Sequence, residues 1–211
     1  MVLTYSPRTS SLETERVYTP DLRRLHFYDR GVGIPLREEG VWQVYRGVVQ
    51  LSELLVNGDE ILLGWLQASG FLGLGLTPLQ LETYHAKALS DVCLHWYSHT
   101  EIQEHPKLTD LVLQQTLQRL RQTERLLAIA GLKRVDERLM ALLSLLAQEM
   151  GEPTAEGIRL SVRLTHQALA NAIGTTRVTV TRLIGDLQTQ QIIHFDDDRH
   201  LIIYHNLHPS L

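Results

Sequence analysis

Followed by the spacing of its apolar and polar positions, the chain divides in two near residue 105. Before that point, WQVYRGVVQLSELL (42–55) sets β-branched and aromatic residues around Gly47, and NGDE (57–60) signals a turn before ILLGWL. These runs, with a second extended stretch at YHAKALSDVCLHWYS (84–98), predict short strands. Glycines at 47, 58, 64, 70, 73 and 75 punctuate them, as in a small barrel or roll. After it the period becomes helical. Between Pro106 and Lys133, the positions Leu113, Leu117, Leu120, Glu124, Leu127 and Gly131 recur at alternating intervals of four and three, which marks a helix seam. Such a seam packs on a second copy or on the chain's own barrel, and periodicity alone does not separate the two. A further amphipathic helix carries Val135, Leu139, Leu142, Leu143 and Leu146 on one face, and GEPTAEG (151–157) reads as a boundary that ends it.

Composition narrows the class. The 211 residues, 44% hydrophobic and 21% charged, suit one large domain or two modest ones. No apolar run approaches the roughly 18 residues a membrane span needs, and the polar stretch 1–21 lacks the layout of a secretory signal and reads as a loosely ordered lead-in. The single cysteine, Cys93, can make no internal disulfide or metal site alone; it reads as a small apolar strand residue, and the reducing cytoplasm is the expected compartment. His95 and His99, four apart in an extended stretch, lack the partners of a metal site, and no hydrolase or phosphate-loop motif is present, so no enzyme is expected.

The net charge of −4 argues at first sight against nucleic acid. Its distribution argues the other way, because residues 159–187 hold four arginines (Arg159, Arg163, Arg177, Arg182) against the single acid Asp186. Within that stretch Thr165 is a helix N-cap, Leu169 and Ile173 point inward, Gly174 permits a tight turn, and Thr176 caps a second helix. On this second helix Val180, Leu183, Ile184 and Leu187 share one face. Val178, Thr181 and Arg182 share the other, with Arg177 at its N-terminal edge. That is the layout of a helix-turn-helix whose second helix enters the major groove of duplex DNA. There arginine can fork onto guanine, and valine can touch a thymine methyl. Thr165, His166 and Gln167 are expected at phosphates. IIHF (192–195) and LIIYH (201–205) flank DDDRH as two strands of a wing, with Asp196, Asp197 and Asp198 expected to face phosphates unfavourably.

THQALANAIGTTRVTVTRLIGDL (165–187), supported by YRGVVQLSELLVNGDEI (45–61), YHA (84–86), RLRQTE (119–124) and DERL (136–139), resembles the cyclic AMP receptor protein/FNR family, and within it the cyanobacterial nitrogen regulators. The resemblance implies an α+β fold: an N-terminal double-stranded β-roll of the cyclic-nucleotide-binding kind (22–105), a long dimerisation helix (106–132) and a C-terminal winged helix-turn-helix (133–211). It implies a homodimer, RNA polymerase as a protein partner, and Arg177, Val178 and Arg182 as readers of GTA-N8-TAC palindromes.

The family's ligands fit less well. Cyclic-nucleotide sensors carry a Gly-Glu pair and an arginine clamp, whereas GFLGLGLTPLQLETYHA (70–86) has no Glu after Gly73 and no arginine, which speaks against cyclic AMP. For 2-oxoglutarate, the resemblance places the pocket at Leu72, Gly73, Leu74 and Gly75, with Arg119 and Glu124 from the long helix. Glu82 stands where those regulators have an arginine. Two unit charges about 4 Å apart interact by about 4 kcal/mol at an effective dielectric near 20, so this exchange would remove at least roughly a thousandfold in affinity. Lys87 is no rescuer if Glu82, Tyr84 and Ala86 share the opposite face of a strand. No cofactor is assigned, and the pocket reads as degenerate or repurposed. Two alternatives stand beside this: a 2-oxoglutarate-responsive regulator, and a protein-interaction module without specific DNA binding.

Overall fold

The structure, a computed structural model, describes residues 24–204. The expected lead-in (1–21) lies outside the described residues, as do positions 22, 23 and 205–211.

Two antiparallel sheets form the first half. One has the strand order β1 (Leu25–Tyr28), β7 (Val92–Ser98), β2 (Gly40–Arg46), β5 (Phe71–Leu72). The other runs β4 (Glu60–Leu66), β3 (Val49–Leu54), β6 (Tyr84–Ala88). Alternation puts Val44, Val49, Leu51, Ala86, Ala88 and Leu94 into a core between them. Trp42 packs edge-on to Trp96 there, and its Nε1 donates to the Pro35 carbonyl at 2.8 Å. Cys93 is buried in β7, as a small apolar residue would be. Burial pushes its thiol pKa up.

Two local expectations fail in this half. Glu82 lies not on a strand but on the short helix α1 (Pro78–Thr83), because Thr77 and Gln80 form a reciprocal capping box with proline at the helix start. Strand alternation therefore stops at Tyr84, and Glu82 shares no strand face with Ala86. Lys87 does point away from buried Ala86. His99 likewise leaves the strand: it opens α2 (His99–Glu104), and its Nε2 donates to the Glu38 carbonyl at 2.8 Å. His95 stays on β7, buried beside the Tyr97 ring.

Helix α3 (Pro106–Ala130) then runs along the roll. The stripe it packs inward is Leu108, Leu111, Val112, Gln122 and Ile129, not the leucine seam. Leu113, Leu117, Leu120 and Leu127 are 58%, 46%, 52% and 73% exposed. Packing of the seam on the chain's own barrel is thereby ruled out. Gly64 sets how close α3 comes to β4. Its φ is +136°, and a Cβ there would collide with the Arg119 guanidinium and the Gln122 amide.

Helix α4 (Val135–Met150) buries Leu139, Leu142, Leu143 and Leu146, as its stripe requires. GEPTAEG does end α4, with Gly151 as its C-cap, but the segment continues as a hairpin of the same half: β8 (Gly151–Pro153) pairs with β9 (Gly157–Leu160), closed by Thr154 N–H donating to the Gly157 carbonyl at 2.8 Å. That hairpin joins β10 (Ile193–Phe195) and β11 (Leu201–Tyr204) in one sheet, ordered β10-β11-β9-β8, around α5 (His166–Ala172) and α6 (Arg177–Thr189). The core of this second half continues into the roll, where Val48 and Trp65 are buried in the same apolar cluster as Leu142, Leu169 and Ile184.

Candidate nucleic-acid interface

The pair α5–α6 is set by its caps and its turn. Thr165 Oγ1 accepts the Ala168 N–H at 3.0 Å, and Thr176 Oγ1 accepts the Thr179 N–H at 3.2 Å. Between the helices Gly174 has φ +60°, where an L side chain would be strained. On α6, Val180, Leu183, Ile184 and Leu187 are buried, whereas Val178 is 79% exposed. Burial on one side fixes which side chains face out.

Arg177 and Arg182 are among those facing out. Arg177 has no ion pair to a described residue, and Arg182 Nη1 lies 3.1 Å from Asp186 Oδ2, with both side chains more than half exposed. An exposed pair of that spacing contributes only about 0.3–0.5 kcal/mol, so a base edge can displace it. Thr181 and His166 are drawn together instead: Thr181 Oγ1 donates to the Arg177 carbonyl at 2.9 Å and lies 2.8 Å from His166 Nδ1. With its proton given to that carbonyl, the hydroxyl can accept from Nδ1–H, leaving His166 Nε2 for a partner. Thr165 and Gln167 are exposed, Gln167 donating to Asn171 Oδ1 at 2.7 Å.

The wing differs from expectation at Asp196. Its Oδ2 accepts from Arg159 Nε at 2.7 Å and its Oδ1 from the His200 N–H at 2.7 Å, so its carboxylate is engaged within the sheet and braces it. The Arg159 hydrogen bond, then that of the His200 N–H, hold the Asp196 carboxyl below the usual carboxylate range. Arg159, counted above among the basic residues, is thereby neutralised, while Asp197 and Asp198 remain exposed.

A second site lies on the roll, a cavity of about 160 Å³ against α3. The structure brings Leu72, Gly73, Leu74 and Arg119 to its wall, which Leu51 and Tyr84 also line. Gly75, Glu82 and Glu124 do not line it: Glu82 is carried outward by α1, and Glu124 stands exposed within the leucine seam. The residue that sequence reasoning missed is Gln122. Its Oε1 accepts from Arg119 Nη1 at 2.7 Å and from the Trp65 N–H at 3.1 Å.

Residues 137–208 match the Crp-like helix-turn-helix domain family. The chain is 37% identical over 162 residues to the global nitrogen regulator of a Synechocystis strain, spanning 74% of this chain and 72% of that protein. The chain belongs to the Crp/Fnr family of transcription regulators. It is a DNA-binding transcriptional regulator of the nitrogen-regulator type. Another Crp/Fnr relative, the regulatory protein CysR of Synechococcus elongatus, is 32% identical over 200 residues, covering 93% of this chain and 91% of its own. Family membership extends to the fold. The crystal structure of TTHB099, a CRP-family regulator from Thermus thermophilus, superposes with a TM-score of 0.72 at 20% identity, over 85% of this chain and 91% of that one. FixK2 from Bradyrhizobium japonicum gives 0.71 at 21% identity, over 89% and 98%. The Crp/Fnr architecture of a β-sheet domain, helices and a C-terminal helix-turn-helix is thus the architecture of this chain. Among the described residues no helix is long and apolar enough to cross a membrane.

Proposed function

We propose that this regulator reads DNA as a two-fold homodimer, held by the exposed leucine seam of α3, with each α6 in one of two successive major grooves. Arg177 and Arg182 are the guanine readers and Val178 meets a thymine methyl. Thr165, Gln167, Thr176 and the free nitrogen of His166 hold phosphates, and Thr181 positions His166. The site is a GTA-N8-TAC palindrome, as in similar proteins with valine after the arginine. RNA polymerase is the protein partner that the family resemblance supports, and the cytoplasm, where the DNA lies, is the compartment. The observation that carries this reading is Val178: an apolar side chain, 79% exposed between two arginines on a helix whose other face is sealed.

The roll cavity is repurposed. At about 160 Å³ it falls below the range of about 300–1,000 Å³ typical of drug-sized ligands, too small for a cyclic nucleotide. It offers one cation, Arg119, to the two carboxylates of 2-oxoglutarate, and the rest of its wall is mainly leucine, phenylalanine and tyrosine. A small ligand with one anionic group and an apolar body suits it better.

The test is a gel shift with a GTA-N8-TAC duplex and a scrambled duplex at one stated salt concentration. Preference for the palindrome is expected. Equal binding, or none, would leave only an interaction module.

A further inference from the structure

A groove of about 630 Å³ lies between the first turn of α4 and the side of α6. It is larger than the roll cavity and falls within the range of about 300–1,000 Å³ that holds small organic ligands. Its floor is the edge of the core that seals α6. Leu139, Leu183 and Leu187 are buried there, and Val135, Met140 and Ile192 are half-buried. An unbranched methionine on such a floor adapts its shape to what it meets.

The rim is charged on both sides. On the α4 side Arg134 Nη2 lies 2.7 Å from Asp136 Oδ2, and its Nε lies 3.7 Å from Glu137 Oε1. On the α6 side Arg182 Nη1 lies 3.1 Å from Asp186 Oδ2. Three carboxylates thus face two guanidiniums, and both guanidiniums are already engaged. An anion entering the groove has to break one of these pairs. A cation meets surplus negative charge beside hydrocarbon, where the attraction is stronger than in open water.

The α6 pair also ties the groove to DNA. When Arg182 turns to a guanine it leaves Asp186, and the groove then carries a surplus of two negative charges in place of one. A cation that takes over Asp186 releases Arg182, and linkage makes the effect reciprocal.

We infer that this groove binds a small organic cation, an ammonium or guanidinium on an apolar body, which lies on the leucine floor, sets its charge against Asp186 and so favours base reading by Arg182. The coupling to DNA rests on the docking of α6 proposed above, whereas binding to the free protein does not.

The experiment uses the full chain and two probes of one shape and opposite charge, 4-phenylbutylamine and 4-phenylbutyrate. Calorimetry without DNA is expected to show the amine saturating in roughly the millimolar range, as suits a ligand of that size, and the carboxylate not at all. D186N, a change at an exposed position, should weaken the amine by about two- to fivefold, the worth of one exposed ion pair. D186E should restore it. A competition gel shift then compares the palindrome with a duplex altered at the contacted guanine. Saturating amine screens both duplexes alike, so their ratio isolates the coupling. That ratio is expected to rise by about twofold in wild type, the worth of the released pair, and to stay constant in D186N. No amine binding, equal binding of both probes, or unchanged binding by D186N overturns the inference. Amine binding without a change in the ratio overturns the coupling. Failure of wild-type protein to prefer the palindrome over a scrambled duplex overturns the helix-turn-helix reading, and the calorimetry still decides the groove.

Discussion

Gln122, on the long helix, donates from Nε2 to a carboxylate oxygen of Glu149 near the end of α4, at 2.6 Å. Its other amide atom, Oε1, holds Arg119 and the Trp65 N–H, so one buried side chain joins the roll cavity, the long helix and the DNA-binding half. Gln67 supports the same corner, donating to the Glu149 carbonyl at 2.7 Å. Gln122→Ala leaves the buried Trp65 N–H without its acceptor, at an expected cost of about 1–3 kcal/mol. Urea melts of wild-type and variant protein measure it, and indistinguishable midpoints and slopes would count against the bridge.

Base reading by Arg182 is tested by substitution. Arg182→Ala is expected to remove about 1–3 kcal/mol of discrimination between the palindrome and a duplex altered at the contacted guanine. Lys107→Ala, exposed at the far start of α3, leaves discrimination unchanged. The measurement is a competition gel shift; an equal loss on matched and altered DNA would make Arg182 a phosphate contact.

The seam of α3 predicts the oligomeric state. Leu117 and Leu120 are about half exposed in the single chain, and a charge at such a position is costly once buried without a partner. L117E is expected to shift sedimentation from dimer to monomer and to weaken palindrome binding. Sedimentation of both proteins as the same species would exclude this seam.

Asp196 supplies a pH dependence. Its carboxyl is held below its ordinary range by Arg159, then by the His200 N–H. A depressed folded-state pKa stabilises the fold above the unfolded value, about 3.9, and that contribution disappears as pH falls through the lower folded value. D196N should therefore melt below wild type at neutral pH, with the gap closing only in acid below about pH 4. A gap that closed between pH 6 and 8 would point to another group.

Calorimetry tests the roll cavity. With Arg119 as its one lining cation, wild-type protein is expected to give no binding heat with millimolar 2-oxoglutarate. E82R should not create binding, because position 82 lies outside the cavity wall. Heat from either protein would restore the 2-oxoglutarate reading.

What was legible in the chain follows from range. Thr165, Gly174, Thr176 and the Val180–Leu187 stripe act over one or two helical turns, so caps, turn and buried face could be read off spacing. The α3 seam was equally plain, but its exposure was not, since only the position of the roll decides which stripe it covers. Glu82 was misplaced for a local reason. Thr77, Pro78 and Gln80 spell a capped helix start, and that signal outweighs the strand pattern read through it.

The amino-acid order by itself determined the two-part chain, its short strands and helices, and the outward face of α6, because periodicity and capping depend on neighbours a few residues away. Tertiary structure alone decided that Asp196 braces Arg159 and that Gln122 bridges Trp65 and Glu149. These partners are tens of residues apart in sequence, and hydrogen bonds and charge act across space only after packing has brought their atoms within a few ångströms.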